Sequence, residues 1–200
     1  MLQTAKSAFY YIPRTGSVFC SEMIQANIKA VDITETPGQV KEEDYDKYAF
    51  GLFNRHTAPK DNDLFTFCFV RHPIGWYESF WRAVKGRTRG VDKRFTLADC
   101  WSESFDEFVN NCVDKFPNGF LTQMYGYFIG TDFVGRQENL REDLIEALTL
   151  AGEEFDADMI RNSKPINVEK YGEGELSKET IDKLLKSEKL IMETFYDTNI

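Results

Sequence analysis

The chain has 200 residues, enough for one domain with a hydrophobic core, and its 42% apolar and 14% aromatic content is typical of a globular protein. A formal net charge of −9 argues against a nucleic-acid-binding protein, which normally carries a basic face. No apolar run approaches the roughly 20 residues that span a bilayer, and the first residues do not form a signal peptide. We therefore expect one cytoplasmic domain over residues 1–200, with no membrane or nucleic acid among its partners.

The first predicted unit is a strand, a tight loop and a helix. Residues 7–12 (SAFYYI) are mostly apolar and aromatic, which predicts a buried strand, and the strand stops at Pro13 and Gly16. From Ser17 onward apolar residues recur at helical spacing, with Ser17 itself the predicted N-cap.

A second unit of the same kind follows after a polar connection. Residues 64–70 (LFTFCFV) are almost wholly apolar, as central strands of parallel sheets are. Arg71-His72-Pro73 ends this strand, and residues 75–85 continue as an aromatic-rich helix. Residues 48–53 form a candidate short strand before it.

The rest of the chain continues this alternation. Helices are predicted over 104–114, 136–152 and 177–196, the last with Ser177 as its cap, and a short strand over 132–135. Strands that alternate with helices predict an α/β fold with a central, mainly parallel sheet flanked by helices.

The four cysteines give no indication of a metal centre. Cys20, Cys68, Cys100 and Cys112 show no CxxC or Cys/His ligand spacing. We interpret them as buried, reduced thiols, and we expect no metal site.

The loop after the first strand has the groups that bind an anion. A glycine-bearing turn that leads into a helix presents backbone N–H groups and about half a positive charge. Arg14 adds a full positive charge, and Thr15 and Ser17 add hydroxyl donors. The pattern GxxxxGK[ST] is absent, which argues against a kinase or ATPase of the usual P-loop type.

The second loop offers a further anion-binding pair. Arg71 follows the buried strand and Ser79 lies on the next helix, so that an arginine fork and a hydroxyl can hold one phosphate. Taken alone, Arg71 can simply end a strand and Ser79 can be incidental. Two such loops at the carboxyl ends of neighbouring strands favour a ligand, because open α/β sheets bind ligands at that edge.

Four segments, in order along the chain, resemble those of sulfotransferases that use 3′-phosphoadenosine 5′-phosphosulfate (PAPS). YYIPRTGSVFCSEMI resembles the 5′-phosphosulfate loop of the carbohydrate type, and FTFCFVRHPIGWYESFWR resembles the 3′-phosphate motif. DFVGRQENLREDLIEAL and KPIN (164–167) are similar to later family segments. The resemblance spans nearly the whole chain.

The resemblance implies a P-loop-NTPase-like three-layer fold and transfer of a sulfuryl group from PAPS to an acceptor hydroxyl, with release of PAP and without a metal. A carbohydrate is the favoured acceptor. Around the 5′-phosphosulfate it places Pro13, Arg14, Thr15, Gly16, Ser17 and Val18, and at the 3′-phosphate Arg71 and Ser79. Arg136 and Glu138 are expected to organise the fold beneath the nucleotide. Arg14 stands where the family usually has lysine.

Arg14 and His56 are the predicted catalytic residues. Sulfuryl transfer needs a base for the acceptor proton, and histidine is suited to this near neutral pH. Similar enzymes often carry a histidine in a segment comparable to the one around His56, whereas His72 is expected to order the arginine loop beside it. Glu22 or Asp63 is the alternative base.

The acceptor side is open on the sequence alone. The basic stretch 85–94 either meets an anionic sugar or is a solvated loop, and Gln123, Tyr125 and Tyr127 either contact the acceptor or belong to the core. Two rival functions also stay open. They are a nucleotide or small-molecule kinase with an atypical phosphate loop, and a non-catalytic PAP-binding module.

Overall fold

The structure, a computed structural model, describes residues 1–32, 63–85, 97–126, 130–166 and 174–196. The contacts within the chain divide it into two compact units. We call the first the sheet unit, and its described residues are 1–32, 63–71 and 130–166. We call the second the helical unit, and its described residues are 72–85, 97–126 and 174–196.

The described elements alternate between strand and helix in the first half of the chain and are mostly helical in the second. In chain order they are β1 (Leu2–Gln3), β2 (Ser7–Phe9), α1 (Ser17–Asn27), β3 (Val31–Asp32), β4 (Phe65–Val70), α2 (Pro73–Lys85), a 3-10 helix (Ala98–Cys100), α3 (Phe105–Lys115), α4 (Phe120–Gly126), β5 (Phe133–Arg136), a 3-10 helix (Gln137–Asn139), α5 (Leu140–Leu150), α6 (Ala157–Asn162), α7 (Lys178–Ser187) and α8 (Lys189–Phe195).

The α/β class predicted from the sequence is confirmed, and the described sheet is mixed rather than mainly parallel. Its strand order is β3-β1-β2-β4-β5. The pairs β2–β4 and β4–β5 are parallel, whereas β1 runs antiparallel to both β2 and β3. Only residues 4–6 separate β1 from β2, and so short a link allows a hairpin but no crossover.

One hydrophobic cluster of the sheet unit lies on one face of this sheet. Phe9, Phe67 and Phe69 point to the same side because side chains alternate along a strand, and the rings of Phe9 and Phe67 stack with centroids 5.2 Å apart. Helices α1, α5 and α6 bury their apolar side chains in the same cluster. The burial of this cluster holds α1 against the strands that precede and follow it.

Several predicted elements keep their place with changed ends. The first strand is shorter than predicted, β4 agrees with 64–70, and α2 begins at Pro73, a residue whose missing N–H and fixed φ suit the first helical position. The candidate strand 48–53 lies outside the described residues. The helix predicted over 177–196 is divided into α7 and α8 at Glu188, and its Ser177 cap is confirmed.

The helical unit is held together by aromatic side chains. Phe80 on α2 stacks between Trp76 of the same helix and Phe108 on α3, with centroids 5.4 and 6.0 Å away. Helix α7 packs on α3, and α8 on α4. In the part of the chain that the structure describes, we find no helix with both the length and the apolar character needed to cross a membrane.

Candidate anion site at the edge of the sheet

The loop between β2 and α1 has an unusual backbone conformation. Arg14 has φ 67° and Gly16 has φ 88°, so that a non-glycine residue and a glycine both occupy the left-handed region within three residues. This conformation costs an L-residue about 1–2 kcal/mol. Left-handed residues in a tight loop turn neighbouring N–H groups toward one concavity, the arrangement known from phosphate-binding loops.

Thr15 closes the loop from inside. Its side chain is buried, and its hydroxyl donates to the carbonyl oxygen of Ile12 at 2.9 Å. Because a hydroxyl has one proton, this side chain cannot also donate to a bound anion. The Thr15 hydroxyl was predicted from the sequence as a ligand donor, whereas in this structure it donates within the loop.

Gly16, rather than the predicted Ser17, is the N-cap of α1. A Cβ at Gly16 would lie 2.5 Å from Cδ2 of Leu140, so the position needs glycine for space as well as for its φ. The cap makes no side-chain hydrogen bond, and the first turn of α1 holds no acidic residue. The positive end of α1 is therefore not compensated by its own first turn. Ser17 and the exposed Val18 are the first two residues of the helix.

The structure brings the two arginine-containing loops together. Arg71 directly follows β4, the parallel neighbour of β2, and its Nη1 donates to the carbonyl oxygen of Arg14 at 3.2 Å. Both arginines are half-buried, and Pro13 beside them is exposed. Two positively charged residues thus lie at one edge of the sheet, beside the N-terminus of α1.

The segment from β5 to the start of α5 contacts the loop between β2 and α1 through Leu140. The backbone N–H of Arg136 donates to Oδ2 of Asp143 at 2.6 Å, and Asn139 donates to Oδ1 of the same carboxylate at 2.5 Å. These bonds fix the start of α5, where Leu140 contacts Gly16. The side chains of Arg136 and Glu138 are exposed.

Sequence reasoning did not identify Leu140 or Asp143 as part of the site's support. The signal that could have identified them is the segment GRQENLRED. Its residues around Leu140 follow the same order as in the sulfotransferase segment that it resembles. Its contact with Gly16 joins residues more than 120 positions apart, and no local pattern reveals such a contact.

The remaining site predictions fall in the helical unit or outside the described residues. Ser79 is half-buried on α2 in the helical unit, whereas Arg71 belongs to the sheet unit, so their joint grip on one phosphate stays a prediction. The carbonyl oxygen of His72 accepts a hydrogen bond from Trp76 N at 2.9 Å. The imidazole ring of His72 contacts the ring of Tyr196 edge-on, with the two centroids 5.2 Å apart. His56 lies outside the described residues.

The other candidate bases and acceptor contacts divide in the same way. Glu22 and Asp63 are both exposed. Tyr125 is fully buried with its ring 6.4 Å from that of Phe195, which places it in the core of the helical unit, while Gln123 is exposed. Tyr127 and residues 86–94 are not among the described residues.

A buried phenol and a buried thiol near the same strands are neutral at physiological pH. Burial, together with the charge of Asp132, raises the pKa of Tyr10 to about 12. Burial also raises the pKa of the Cys68 thiol to about 12. Neither group can act as a base near pH 7. Among the described residues no group of three or more His, Cys, Asp or Glu side chains is arranged to hold a metal ion.

Comparison of the chain with protein-family models, with curated protein sequences and with solved structures found no match in any of the three.

Proposed function

We propose that the protein is a PAPS-dependent sulfotransferase, which moves a sulfuryl group to an acceptor hydroxyl, preferably of a carbohydrate, and releases PAP. The observation that best supports this is the hydrogen bond from Arg71 to the carbonyl oxygen of Arg14. It links the two loops whose sequences resemble the 5′-phosphosulfate and 3′-phosphate motifs. A ligand with phosphates at both positions suits such a pair of loops.

The residues present fit the 5′-phosphosulfate end of PAPS. The N-terminus of α1 lacks an acid in its first turn, and Gly16 allows the backbone to approach a ligand closely. Arg14 supplies a full charge in place of the family's lysine, and its guanidinium can hold two anionic oxygens at once. Arg71 beside it supplies a second charge for the 3′-phosphate, with Ser79 as its proposed partner.

The proposed reaction is an in-line displacement. The acceptor oxygen attacks sulfur, the bond from sulfur to the bridging phosphate oxygen breaks, and that oxygen keeps the electron pair as PAP leaves. The acceptor proton passes to a base, for which His56 is proposed. Arg14 and the N-terminus of α1 stabilise the charge that develops on the leaving phosphate, and a well-placed donor of this kind contributes about 3–4 kcal/mol.

The proposal includes the finer predictions on architecture. A three-layer, P-loop-like arrangement, a single functional domain and a cytoplasmic location all follow from the family resemblance and the sequence. The hairpin β1–β2 and the parallel order β2-β4-β5 are compatible with that arrangement.

Calorimetric titration with PAP, PAPS and ATP tests the ligand. We expect PAP and PAPS to bind and Arg71→Ala to weaken PAP binding 10- to 100-fold, the usual effect of losing a charge-assisted pair. Arg161→Ala is the matched control, because Arg161 is an exposed arginine of the same unit that pairs with Glu142. Binding of ATP without PAP, or equal PAP affinity in Arg71→Ala, would overturn the site.

Transfer of ³⁵S from PAPS to a panel of glycans and phenols tests the reaction. We expect transfer by the wild type and a loss of at least 100-fold in His56→Ala at unchanged PAP affinity. Tight PAP binding without transfer to any acceptor would instead indicate a non-catalytic PAP-binding module. Full activity in His56→Ala would move the role of base to another residue.

A further inference from the structure

The hydrogen bond between the two arginine-containing loops ends on the main chain of Arg14, not on its side chain. Nη1 of Arg71 donates to the carbonyl oxygen of Arg14 at 3.2 Å, and both residues belong to the sheet unit. The backbone before Arg71 is anchored, because Val70 is the last residue of β4 and pairs with Arg136 of β5. The bond therefore ties the loop between β2 and α1 to a strand with neighbours on both sides, whatever side chain stands at position 14.

Arg14 has a backbone conformation that depends on its surroundings. Its φ of 67° lies in the left-handed region, and among the described residues no other non-glycine residue has a positive φ. A Cβ disfavours this region, so the conformation persists only where neighbouring contacts stabilise it. Inside the loop, the Thr15 hydroxyl donates to the carbonyl oxygen of Ile12. The bond from Arg71 adds a contact from another strand, at the residue whose own conformation is unfavourable.

Arginine is suited to bind a main-chain carbonyl and a phosphate at the same time. A guanidinium has several N–H donors in one rigid plane, and the bond to Arg14 uses one of them. That bond therefore does not prevent the same group from contacting two oxygens of a phosphate. Lysine keeps the charge but lacks the rigid plane that fixes both partners relative to each other.

We propose that Arg71 is a positioning residue for the 5′-phosphosulfate loop in addition to its role at the 3′-phosphate, an inference that rests on the proposed function. By fixing the carbonyl of Arg14, Arg71 keeps the left-handed turn and the start of α1 in the arrangement that receives the phosphosulfate. A 3′-phosphate that binds the guanidinium then also orders residues 14–17. By linkage, a ligand in that loop strengthens binding of the 3′-phosphate. The two loops thus select nucleotides that are phosphorylated at both positions.

Adenosine 5′-phosphosulfate tests this role, because it has the sulfated end of PAPS but no 3′-phosphate. If Arg71 served the 3′-phosphate alone, Arg71→Lys would bind this ligand as the wild type does. We expect calorimetric titration of the full chain to show a loss of about 3- to 10-fold in affinity, the usual effect of removing one hydrogen bond. Arg161→Lys, the same exchange at an exposed arginine of the sheet unit, is the matched control and should bind as the wild type does.

Arg14→Ala separates positioning from a direct contact between Arg71 and this ligand. The variant loses the side-chain charge but keeps the carbonyl oxygen that accepts from Arg71. Because Arg71 acts through the loop that carries Arg14, Arg71→Lys should cost less affinity for adenosine 5′-phosphosulfate in the Arg14→Ala background than in the wild type. Equal losses in the two backgrounds would show that Arg71 does not act through Arg14.

A measurement on the wild type decides the matter if Arg71→Lys does not fold or if adenosine 5′-phosphosulfate binds too weakly to titrate. Adenosine 3′-phosphate has the group proposed to bind Arg71 but no 5′-phosphate. At saturation we expect it to slow hydrogen exchange at the amides of residues 14–17. Binding of this ligand without slower exchange there would overturn the positioning role.

The failure of this inference can be told apart from the failure of the proposed function. A wild type that binds neither PAP nor adenosine 5′-phosphosulfate contradicts the proposed function, and the positioning role with it. If PAP binds while the wild type and Arg71→Lys have equal affinity for adenosine 5′-phosphosulfate, only the positioning role is overturned.

Discussion

Two helix N-termini in this protein differ in their acidic partners. An acidic side chain of the fold accepts from the N-terminus of α4, whereas the first turn of α1 contains no acidic residue. Two N–H groups in the first turn of α4, those of Leu121 and Thr122, donate to the carboxylate of Glu188 at 2.9 and 2.8 Å. The N-terminus of α1, by contrast, has Gly16 as cap, no side-chain cap bond and no acid in its first turn. Helix α4 carries its anion within the fold, whereas α1 lies beside two arginine-containing loops.

The difference distinguishes a structural use of one helix N-terminus from the ligand-binding use that we propose for the other. Glu188 is completely buried and also accepts from the hydroxyls of Tyr77 and Thr122 at 3.1 and 2.8 Å. A buried carboxylate with four donors stabilises the unit that surrounds it. A helix end in a half-exposed loop, beside a glycine at which a Cβ would meet Leu140, is suited to an anion from solution.

The largest effect is expected from removing the internal anion. Glu188→Ala leaves four buried or half-buried donors without their acceptor, which should lower the free energy of unfolding by about 3–5 kcal/mol. Glu188→Gln keeps one acceptor oxygen and should lose about 1–3 kcal/mol. Urea denaturation measures both, and Glu193→Ala on the exposed face of α8 is the control, with less than about 0.5 kcal/mol expected.

If Glu188→Ala unfolds at the same urea concentration as the wild type, Glu188 does not stabilise the helical unit through these bonds. In that case the N-terminus of α4 is no longer an example of a helix end that stabilises the fold through an internal carboxylate.

A smaller effect is expected from adding one methyl group beside the other helix end. Gly16→Ala meets both the left-handed φ and Leu140 Cδ2 at 2.5 Å, and should cost about 2–4 kcal/mol. Gly152→Ala is the matched control, since Gly152 has φ 70° and nothing within 4 Å of the added Cβ, so only the conformational cost of about 1–2 kcal/mol applies.

The double variant Gly16→Ala with Leu140→Ala separates the two contributions at Gly16. Removal of the Leu140 side chain should make the added methyl cost no more than it does at Gly152. Equal costs for Gly16→Ala and Gly152→Ala in the wild-type background would show that Leu140 moves away freely and does not support the loop.

The smallest effect concerns pH. Burial raises the pKa of Glu188 above its usual value of 4.5, although its four donors act in the opposite direction. The folded state therefore binds the proton more tightly than the unfolded state. From pH 4.5 upward the wild type should lose stability relative to Glu188→Gln, by up to about 1.4 kcal/mol per pH unit until the folded-state pKa is passed.

Urea midpoints of the two proteins measured from pH 4.5 to 8 test this sign. A difference that does not change with pH, or a wild type that gains stability relative to Glu188→Gln, contradicts it.

The sequence determined the local parts of both the fold and the candidate site. The apolar run before Arg71 predicted β4, and the turn chemistry of residues 13–16 predicted the loop ahead of α1. The prediction that this loop binds an anion also rests on residue types, because arginine, glycine and a helix start need no distant contact to be recognised. That both loops belong to one nucleotide site is a prediction from the family resemblance.

Only the tertiary structure decided the features that depend on distant residues. The amphipathic pattern of residues 177–196 predicted one continuous helix, but the helix is divided at Glu188, whose carboxylate accepts from donors more than 60 residues away. The hydrogen bond from Arg71 to Arg14 and the contact of Leu140 with Gly16 arise in the same way. Such contacts are set by packing between segments, and residue patterns along one segment carry no record of them.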